Sequence, residues 1–254
     1  MNMNIELLKD GGDPMGAAIY DFYKNGKAGI LKVCSSEFDD DEIPVCDLFR
    51  SYDQMPELER LALEMADGEI LDVGAGSGCH SMALMEMGKK VKAIDISPLS
   101  VLVMKERGVD ASQVNFYDKS YSERFDTVLM LMNGTGIIGR IENIPAFFER
   151  LKDMLKPGGC VLMDSSDLRY LFEEEDGSLM IDLADDYYGQ LDYQMEYVGA
   201  VDKELDGVKG EPFDWLYLDF DSLAFYAEEC GFKAELIAEG EHYDYLAKLT
   251  INQQ

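Results

Sequence analysis

The sequence predicts a doubly wound α/β fold with a mostly parallel sheet and helices on both faces. Between positions 69 and 166, short apolar runs alternate with segments of helical periodicity. The apolar runs are largely unbroken, which is typical of parallel strands that helices cover on both sides. In the stretch EILDVGAGSGCH at 69–80, three glycines stand where the first of these strands meets a helix, the position at which such folds bind ligands.

The first 67 residues read as a mainly helical extension of this fold. Asp13 and Pro14 supply an N-cap and a first helical residue for the segment DPMGAAIYDFYK. A second helix follows Pro56 in MPELERLALEMADG, where apolar residues recur at helical spacing until Gly68 ends it. We expect residues 1–67 to form an extension or lid.

Five strands and three helices then alternate along the chain. Ser97 is the expected N-cap of the second of these helices, and Gly108 follows its end. The predicted strands are EILDVG, KVKAIDI, SQVNFYD, FDTVLMLMN and CVLMDS, and the predicted helices are SGCHSMALMEMG, SPLSVLVMKERG and IENIPAFFERLKDMLKPGG. Strand, helix, strand repeats of this kind build a parallel sheet.

The pattern changes after Ser166. At about 167–220, the tyrosine-rich runs YYGQLDYQMEYVG and PFDWLYLDF predict the strands of an inserted β-rich region. A helix follows in DSLAFYAEECG, for which Asp221 is the expected N-cap. The segment KAELIAEGEHYDYLAKLTI then predicts two antiparallel strands joined by a short turn.

Charge and cysteine usage restrict the class of partner. A net charge of −29 repels nucleic acid and anionic membranes, so we expect neither as a partner and favour a small molecule. The five cysteines form no C-x-x-C pair, which argues against disulfides and a zinc site and indicates a reduced, cytoplasmic protein without metal. A monomer or weak homodimer is expected, although no sequence feature bears on it.

The glycine-rich turn indicates the charge of its ligand. Gly74, Gly76 and Gly78 can adopt positive φ and let a bound molecule approach the backbone, at the start of a helix whose amides face it. A dinucleotide fingerprint would place a third glycine at Cys79. Asp72, two residues before the turn, would repel a pyrophosphate and attract a sulfonium or ammonium group. The pattern therefore favours a cationic cofactor.

Several segments in order resemble class I S-adenosylmethionine-dependent methyltransferases, over about residues 67–166 and 220–252. EILDVGAGSG, VKAIDIS and VNFYD are similar to the family's first three motifs, and LKDMLKPGGCVLMD to the helix, turn and strand before its fifth strand. The resemblance implies a seven-stranded Rossmann-like sheet with an antiparallel last strand. It also implies that Asp95 binds the ribose hydroxyls and Asp118 the adenine amino group.

The cofactor is thus expected to be S-adenosyl-L-methionine. Ile96 would wall the adenine, Tyr117 would flank the ring, and Asn133 would lie in a tight loop near the methionine part. Asp72 also has a structural interpretation, as a buried acid that binds loop amides. The candidate cofactor-binding residues are Asp72, Gly74, Ala75, Gly76, Gly78, Asp95, Ile96, Tyr117, Asp118 and Asn133.

The acceptor is expected to be a small molecule, and the acidic insertion favours an amine. Candidate substrate residues are Arg50, Tyr52, Asp164, Asp167 and Tyr170, and no catalytic residue is predicted. The methyltransferase domain would span residues 68–252. Two alternatives stay open at this point: an NAD(P)-dependent oxidoreductase, and a non-catalytic module that binds S-adenosylmethionine.

Overall fold

The computed structural model describes residues 12–36, 38–172 and 187–252. Six α-helices lie within these residues: α1 (Pro14–Asn25), α2 (Glu57–Met65), α3 (Cys79–Glu86), α4 (Pro98–Glu106), α5 (Ile144–Met154) and α6 (Phe220–Glu229). Twelve strands lie there too: β1 (Ile30–Cys34), β2 (Asp41–Ile43), β3 (Glu69–Val73), β4 (Lys90–Asp95), β5 (Ala111–Gln113), β6 (Phe125–Met130), β7 (Leu155–Ser166), β8 (Gln190–Val198), β9 (Val208–Lys209), β10 (Phe213–Leu216), β11 (Phe232–Glu239) and β12 (Asp244–Ile251).

The main sheet has seven strands in the order β11-β12-β7-β6-β3-β4-β5. The pairs β3–β6, β6–β7 and β4–β5 are parallel, whereas β12 runs antiparallel to both β7 and β11. This arrangement confirms the predicted doubly wound, Rossmann-like sheet with an antiparallel last strand. The strand order reverses at β3, next to β6, and ligands of open α/β sheets bind beside such a reversal.

A second, antiparallel sheet has the order β10-β8-β1-β2, and β9 pairs with β8. Its strands β8, β9 and β10 lie in the predicted β-rich insertion, of which residues 173–186 fall outside the described part of the chain. Strands β1 and β2 lie in the segment for which the sequence predicts helices. Leu31 of β1 pairs with Tyr197 of β8, a partner too distant in sequence for the local pattern to reveal.

Two of the three predicted N-cap residues are confirmed, and the third is wrong. The Asp13 and Ser97 side chains accept from the amides of Gly16 and Ser100, as predicted. The N-cap of α6 is Asp219, not Asp221, because the Asp219 carboxylate accepts from the Ser222 amide at 2.9 Å. Strand β5 is also shorter than the predicted run SQVNFYD, since it ends at Gln113.

The chain divides into two compact units. One contains the described residues up to Met55, Gly74–Phe116 and Asp192–Phe213, and its core joins α1, α4 and the fully buried Tyr197. The other unit contains the described residues of Pro56–Val73, Tyr117–Leu191 and Asp214–Gln254. In this unit the ring of Phe148 packs on that of Phe232, with ring centroids 5.1 Å apart. The division into a 1–67 extension and a 68–252 domain stays a prediction.

Candidate functional site

The glycine-rich turn between β3 and α3 has the backbone that the sequence predicts. Gly74, Gly76 and Gly78 have φ values of 69°, 55° and 80°. A Cβ on Gly78 would lie 2.9 Å from Met104 Cγ, so this position also lacks room for a side chain. Among the residues that the structure describes, only Ile19 lies within 4 Å of a Cβ on Gly76. Glycine is required here by positive φ at all three positions.

Asp95 connects the turn to the end of β4. Its Oδ2 accepts from the Gly76 amide and its Oδ1 from the Ser97 amide, both at 2.8 Å. The two amides bind different oxygens and so define the plane of the carboxylate. Each carboxylate oxygen can accept more than one hydrogen bond, so the same group can also receive the hydroxyls of a ligand.

The candidates Ile96, Ala75 and Asp72 differ in their exposure to solvent. Ile96 follows Asp95 and is 68% exposed, although it is a large apolar residue. Ala75, within the turn, is buried. Asp72 is buried in β3 opposite Leu129 of β6. Ile96 thus leaves apolar surface in solvent next to a carboxylate whose orientation two backbone amides define.

Tyr117 and Asp118 follow β5 and differ in environment. The Tyr117 hydroxyl donates to the Ile137 carbonyl at 3.3 Å, and burial raises the pKa of this phenol to about 12. Asp118 is exposed; its carboxylate accepts from the Ser120 amide at 2.9 Å, which holds its pKa below the usual range. Tyr117 is therefore a neutral residue against the loop after β6, whereas Asp118 is a solvent-facing anion.

The loop after β6 carries two consecutive residues in the left-handed region. Met132 and Asn133 have φ values of 65° and 61°. Asp164 at the end of β7 accepts from the Met132 and Gly134 amides, each at 3.1 Å, and the Ser166 hydroxyl donates to Asn133 Oδ1 at 3.0 Å. Left-handed backbone at non-glycine residues costs about 1–3 kcal/mol each and is frequent at functional sites. The strand-end polar residues hold the loop in this conformation.

The glycines of the same loop serve packing. A Cβ on Gly136 would lie 1.9 Å from Cε2 of Trp215, so the indole lies directly on the backbone of the short 3₁₀-helix Gly134–Ile138. The Thr135 hydroxyl donates to the Leu216 carbonyl at 2.8 Å. The NGTG sequence therefore makes a tight loop, as predicted, and Trp215 is a contact that sequence reasoning missed.

A cluster of acids and tyrosines lies beyond the end of β7. Asp167 is buried; it forms an ion pair with Arg169 and accepts from the Tyr188 hydroxyl at 2.8 Å. The Tyr187 hydroxyl donates to Asp219 at 2.6 Å. Burial raises the pKa of both phenols, and their hydrogen bonds to carboxylates raise it further. Both tyrosines are thus neutral donors at physiological pH, unsuited to the role of general base.

A cleft of about 370 Å³ opens next to this cluster. The described residues that line it are Asp167, Arg169, Phe220, Glu239, Gly240, Glu241, Tyr243, Asp244 and Tyr245. Four of these residues are acids and one is a cation, which is already paired with Asp167. Tyr243 stacks on Tyr170 with ring centroids 5.5 Å apart and an interplanar angle of 15°, and both tyrosines are about half exposed. The cleft thus combines negative charge with exposed aromatic faces.

The fold and these contacts can be compared with known proteins. A family model described as a methyltransferase domain matches residues 70–159. A crystal structure of a SAM-dependent methyltransferase from Bacteroides fragilis, in complex with S-adenosyl-L-homocysteine, is 62% identical to this chain. The alignment covers 95% of each chain, with a TM-score of 0.87.

The chain belongs to the class I S-adenosylmethionine-dependent methyltransferases. This confirms the resemblance carried by the motifs EILDVGAGSG, VKAIDIS and VNFYD, and S-adenosylmethionine is the cofactor of that family. Among curated relatives, this methyltransferase is 33% identical to cypemycin N-terminal methyltransferase from Streptomyces sp over 102 residues, a match that spans 39% of this chain and 42% of that protein. An uncharacterized methyltransferase from Staphylococcus carnosus is 26% identical over 67% of this chain and 85% of its own length.

The candidates Arg50 and Tyr52 lie outside regular helices and strands of the methyltransferase. Arg50 ends the 3₁₀-helix Val45–Phe49 and donates to the Asp47 carbonyl at 3.1 Å, while Tyr52 begins a 3₁₀-helix that Ser51 caps. Their predicted contact with cofactor or substrate stays a prediction.

A different arginine of the methyltransferase contacts the glycine-rich turn. Arg107 donates to the Ser77 carbonyl at 2.5 Å, and its guanidinium lies 5.1 Å from the Phe49 ring centroid. Burial lowers the pKa of this arginine, although it remains charged. No local signal in the sequence distinguishes Arg107 from other arginines at helix ends.

Within residues 12–36, 38–172 and 187–252, no group of three or more His, Cys, Asp or Glu residues is placed to hold a metal ion. In the same part of the chain, no helix is long and apolar enough to cross a membrane.

Proposed function

We propose that this methyltransferase transfers the methyl group of S-adenosylmethionine to a small-molecule amine. The observation that carries the cofactor part of this proposal is the Asp95 carboxylate, held by the Gly76 and Ser97 amides beside the exposed Ile96. This arrangement suits an adenosine: a pair of vicinal hydroxyls for the acid and a flat ring for the apolar side chain. Family membership favours this assignment over hydride transfer to a nicotinamide.

The remaining cofactor candidates are proposed to have the roles that the family resemblance implies for them. Asp72, buried two residues before the turn, supplies negative charge for the sulfonium side of the cofactor. The glycine-rich turn offers backbone groups to the amino-acid portion, since Ile19 is the only neighbour within 4 Å of a Cβ on Gly76 in the described part of the chain. Tyr117 and Asp118 serve the adenine, and Asn133, fixed by Ser166, serves the methionine end. These roles extend the family resemblance to residues of this chain.

The acidic cleft supports an amine as acceptor. Names of relatives do not decide the acceptor, because they include both N- and O-methyltransferases. The cleft itself carries a lining of four acids and one cation, with the Tyr170–Tyr243 pair beside it. Cations bind aromatic faces with about 0.5–2 kcal/mol and are attracted by carboxylates. The overall charge of −29 acts in the same direction and disfavours nucleic acid as substrate.

In the proposed reaction, the main contribution of the protein is to position the cofactor and the acceptor. The cofactor, when bound, supplies a methyl group that its sulfonium already activates toward in-line displacement. Alignment of the two reactants contributes on the order of 7–11 kcal/mol to such a reaction. An amine must be neutral to attack, so a carboxylate near the acceptor also serves to take the proton of an ammonium. In this site Asp167 is buried and paired with Arg169, which leaves Glu239, Glu241 and Asp244 as the acids to test.

Two experiments test the proposal in order. First, S-adenosylhomocysteine should raise the melting temperature of the purified protein in a saturable manner, whereas NAD should not. A shift with NAD alone would support the oxidoreductase alternative. Second, cofactor labelled in its methyl group should label a primary or secondary amine within a metabolite extract. Binding without transfer to any fraction would identify a non-catalytic module and refute the enzymatic proposal.

A further inference from the structure

Helix α1 is connected by hydrogen bonds to Asp95, the residue predicted to bind the ribose hydroxyls. Asp13 Oδ1 accepts from the Gly16 amide at 2.8 Å and so caps α1. Its Oδ2 accepts from the Ser97 hydroxyl at 2.6 Å and from the Leu99 amide at 3.4 Å. One carboxylate therefore caps α1 and binds the start of α4, and all of these residues belong to the same compact unit.

Ser97 extends this connection to Asp95. The Ser97 amide donates to Asp95 Oδ1, and Asp95 Oδ2 accepts from Gly76. The Ser97 hydroxyl itself accepts from the Ser100 amide at 2.9 Å. Because the hydroxyl has a single proton, and that proton is directed to Asp13, both partners of Ser97 are specified. A continuous path of hydrogen bonds thus runs from α1 to the glycine-rich turn.

Helix α1 packs closely against both Ser97 and the glycine-rich turn. A Cβ on Gly16 would lie 2.2 Å from Asp13 Oδ2 and 2.3 Å from the Ser97 hydroxyl oxygen, so the close contact depends on glycine. Ile19, one turn further along α1, is fully buried, and its Cδ1 lies 3.8 Å from the position of a Cβ on Gly76. The helix therefore contacts the turn both by hydrogen bonds and by an apolar side chain.

We propose that Asp13 is a positioning residue for cofactor binding, which it supports by fixing Ser97 and, through Ser97, the orientation of the Asp95 carboxylate. Helix α1 is then part of the cofactor site, and the segment predicted as an extension contributes to ligand affinity. This inference rests on the proposed function, because it takes Asp95 as the acid that binds the ribose hydroxyls.

The test separates capping of α1 from positioning of Asp95. Asp13→Ser keeps a side chain that can cap α1, but it is too short to reach Ser97; Asp13→Ala removes both contacts. We expect both variants to bind S-adenosylhomocysteine about tenfold more weakly by titration calorimetry, a change of about 1.4 kcal/mol. Only Asp13→Ala should also lose the capping contribution in urea unfolding without ligand. Asp13→Asn, which retains an acceptor oxygen, should recover part of the affinity.

A double-mutant cycle gives the decisive result. In a Ser97→Ala background, Asp13→Ser should have less than a twofold effect on affinity, because the bond that it breaks is already absent. A full tenfold effect in that background would overturn the inference, as would wild-type affinity of Asp13→Ser in the native background. If the wild-type protein itself failed to bind S-adenosylhomocysteine, the proposed function would fail instead, and the two failures are therefore distinguishable.

Discussion

The replacement Asp95→Asn tests the central feature of the proposed cofactor site. In the native structure each carboxylate oxygen of Asp95 accepts one backbone amide, from Gly76 and Ser97 at 2.8 Å. Asparagine replaces one of these oxygens with an NH₂ group, which cannot accept from an amide. The variant loses the negative charge and also the hydrogen bond to either the turn or the start of α4.

The expected loss of affinity follows from the energy of hydrogen bonds to charged groups. Such a bond contributes about 1.5–3 kcal/mol, so the dissociation constant for S-adenosylhomocysteine should rise about 10- to 150-fold. Titration calorimetry measures this change directly. Asp110→Asn is the matched control, since Asp110 is exposed and the variant has the same net charge. The reasoning is refuted if Asp95→Asn binds within threefold of the control.

Two predictions concern stability. Tyr197→Phe should lower the free energy of unfolding by about 2–4 kcal/mol. The Tyr197 hydroxyl donates to the buried Asp21 and accepts from the Gly29 amide, and the substitution removes this partner from both groups. An unchanged midpoint of urea unfolding would contradict this prediction. The Glu69 amide and the Lys156 ammonium hold the pKa of Asp126 below its usual range. Its contribution to stability is therefore present above the unfolded-state pKa of about 3.9 and is lost as pH falls through the folded-state value. Asp126→Asn should consequently lose less stability than the native protein between pH 5 and pH 3 in urea titrations, and an equal loss would refute the assignment.

Local sequence patterns predicted the features that depend on neighbouring residues. The caps of α1 and α4 follow from Asp13 and Ser97, each placed before a proline. The α6 cap was predicted wrongly because Asp219 and Asp221 are both acids near the helix start. Only the backbone of Asp219, with φ −64° and ψ 158°, marks it as the residue outside the helix.

Features that depend on distant residues were not predictable in this way. Strand β1 forms against β8, and no local pattern reveals that pairing. The role of Asp164 is similar: a strand-end acid can be recognised as a candidate, but its bonds to the Met132 and Gly134 amides depend on how β6 and β7 are aligned. The contact of Gly136 with Trp215 also joins distant positions. The glycine therefore indicated a tight turn, but the sequence did not reveal that the Trp215 indole requires it.

The exposure of Ile96 has a thermodynamic consequence. At 68% exposed, this side chain presents apolar surface to solvent, and in the proposed cofactor site a purine ring resting on it would remove that surface from water. The apolar surface of Ile96 would then be buried only while the nucleoside is bound. Association should accordingly show a negative change in heat capacity, and shortening this side chain to alanine should make that change smaller.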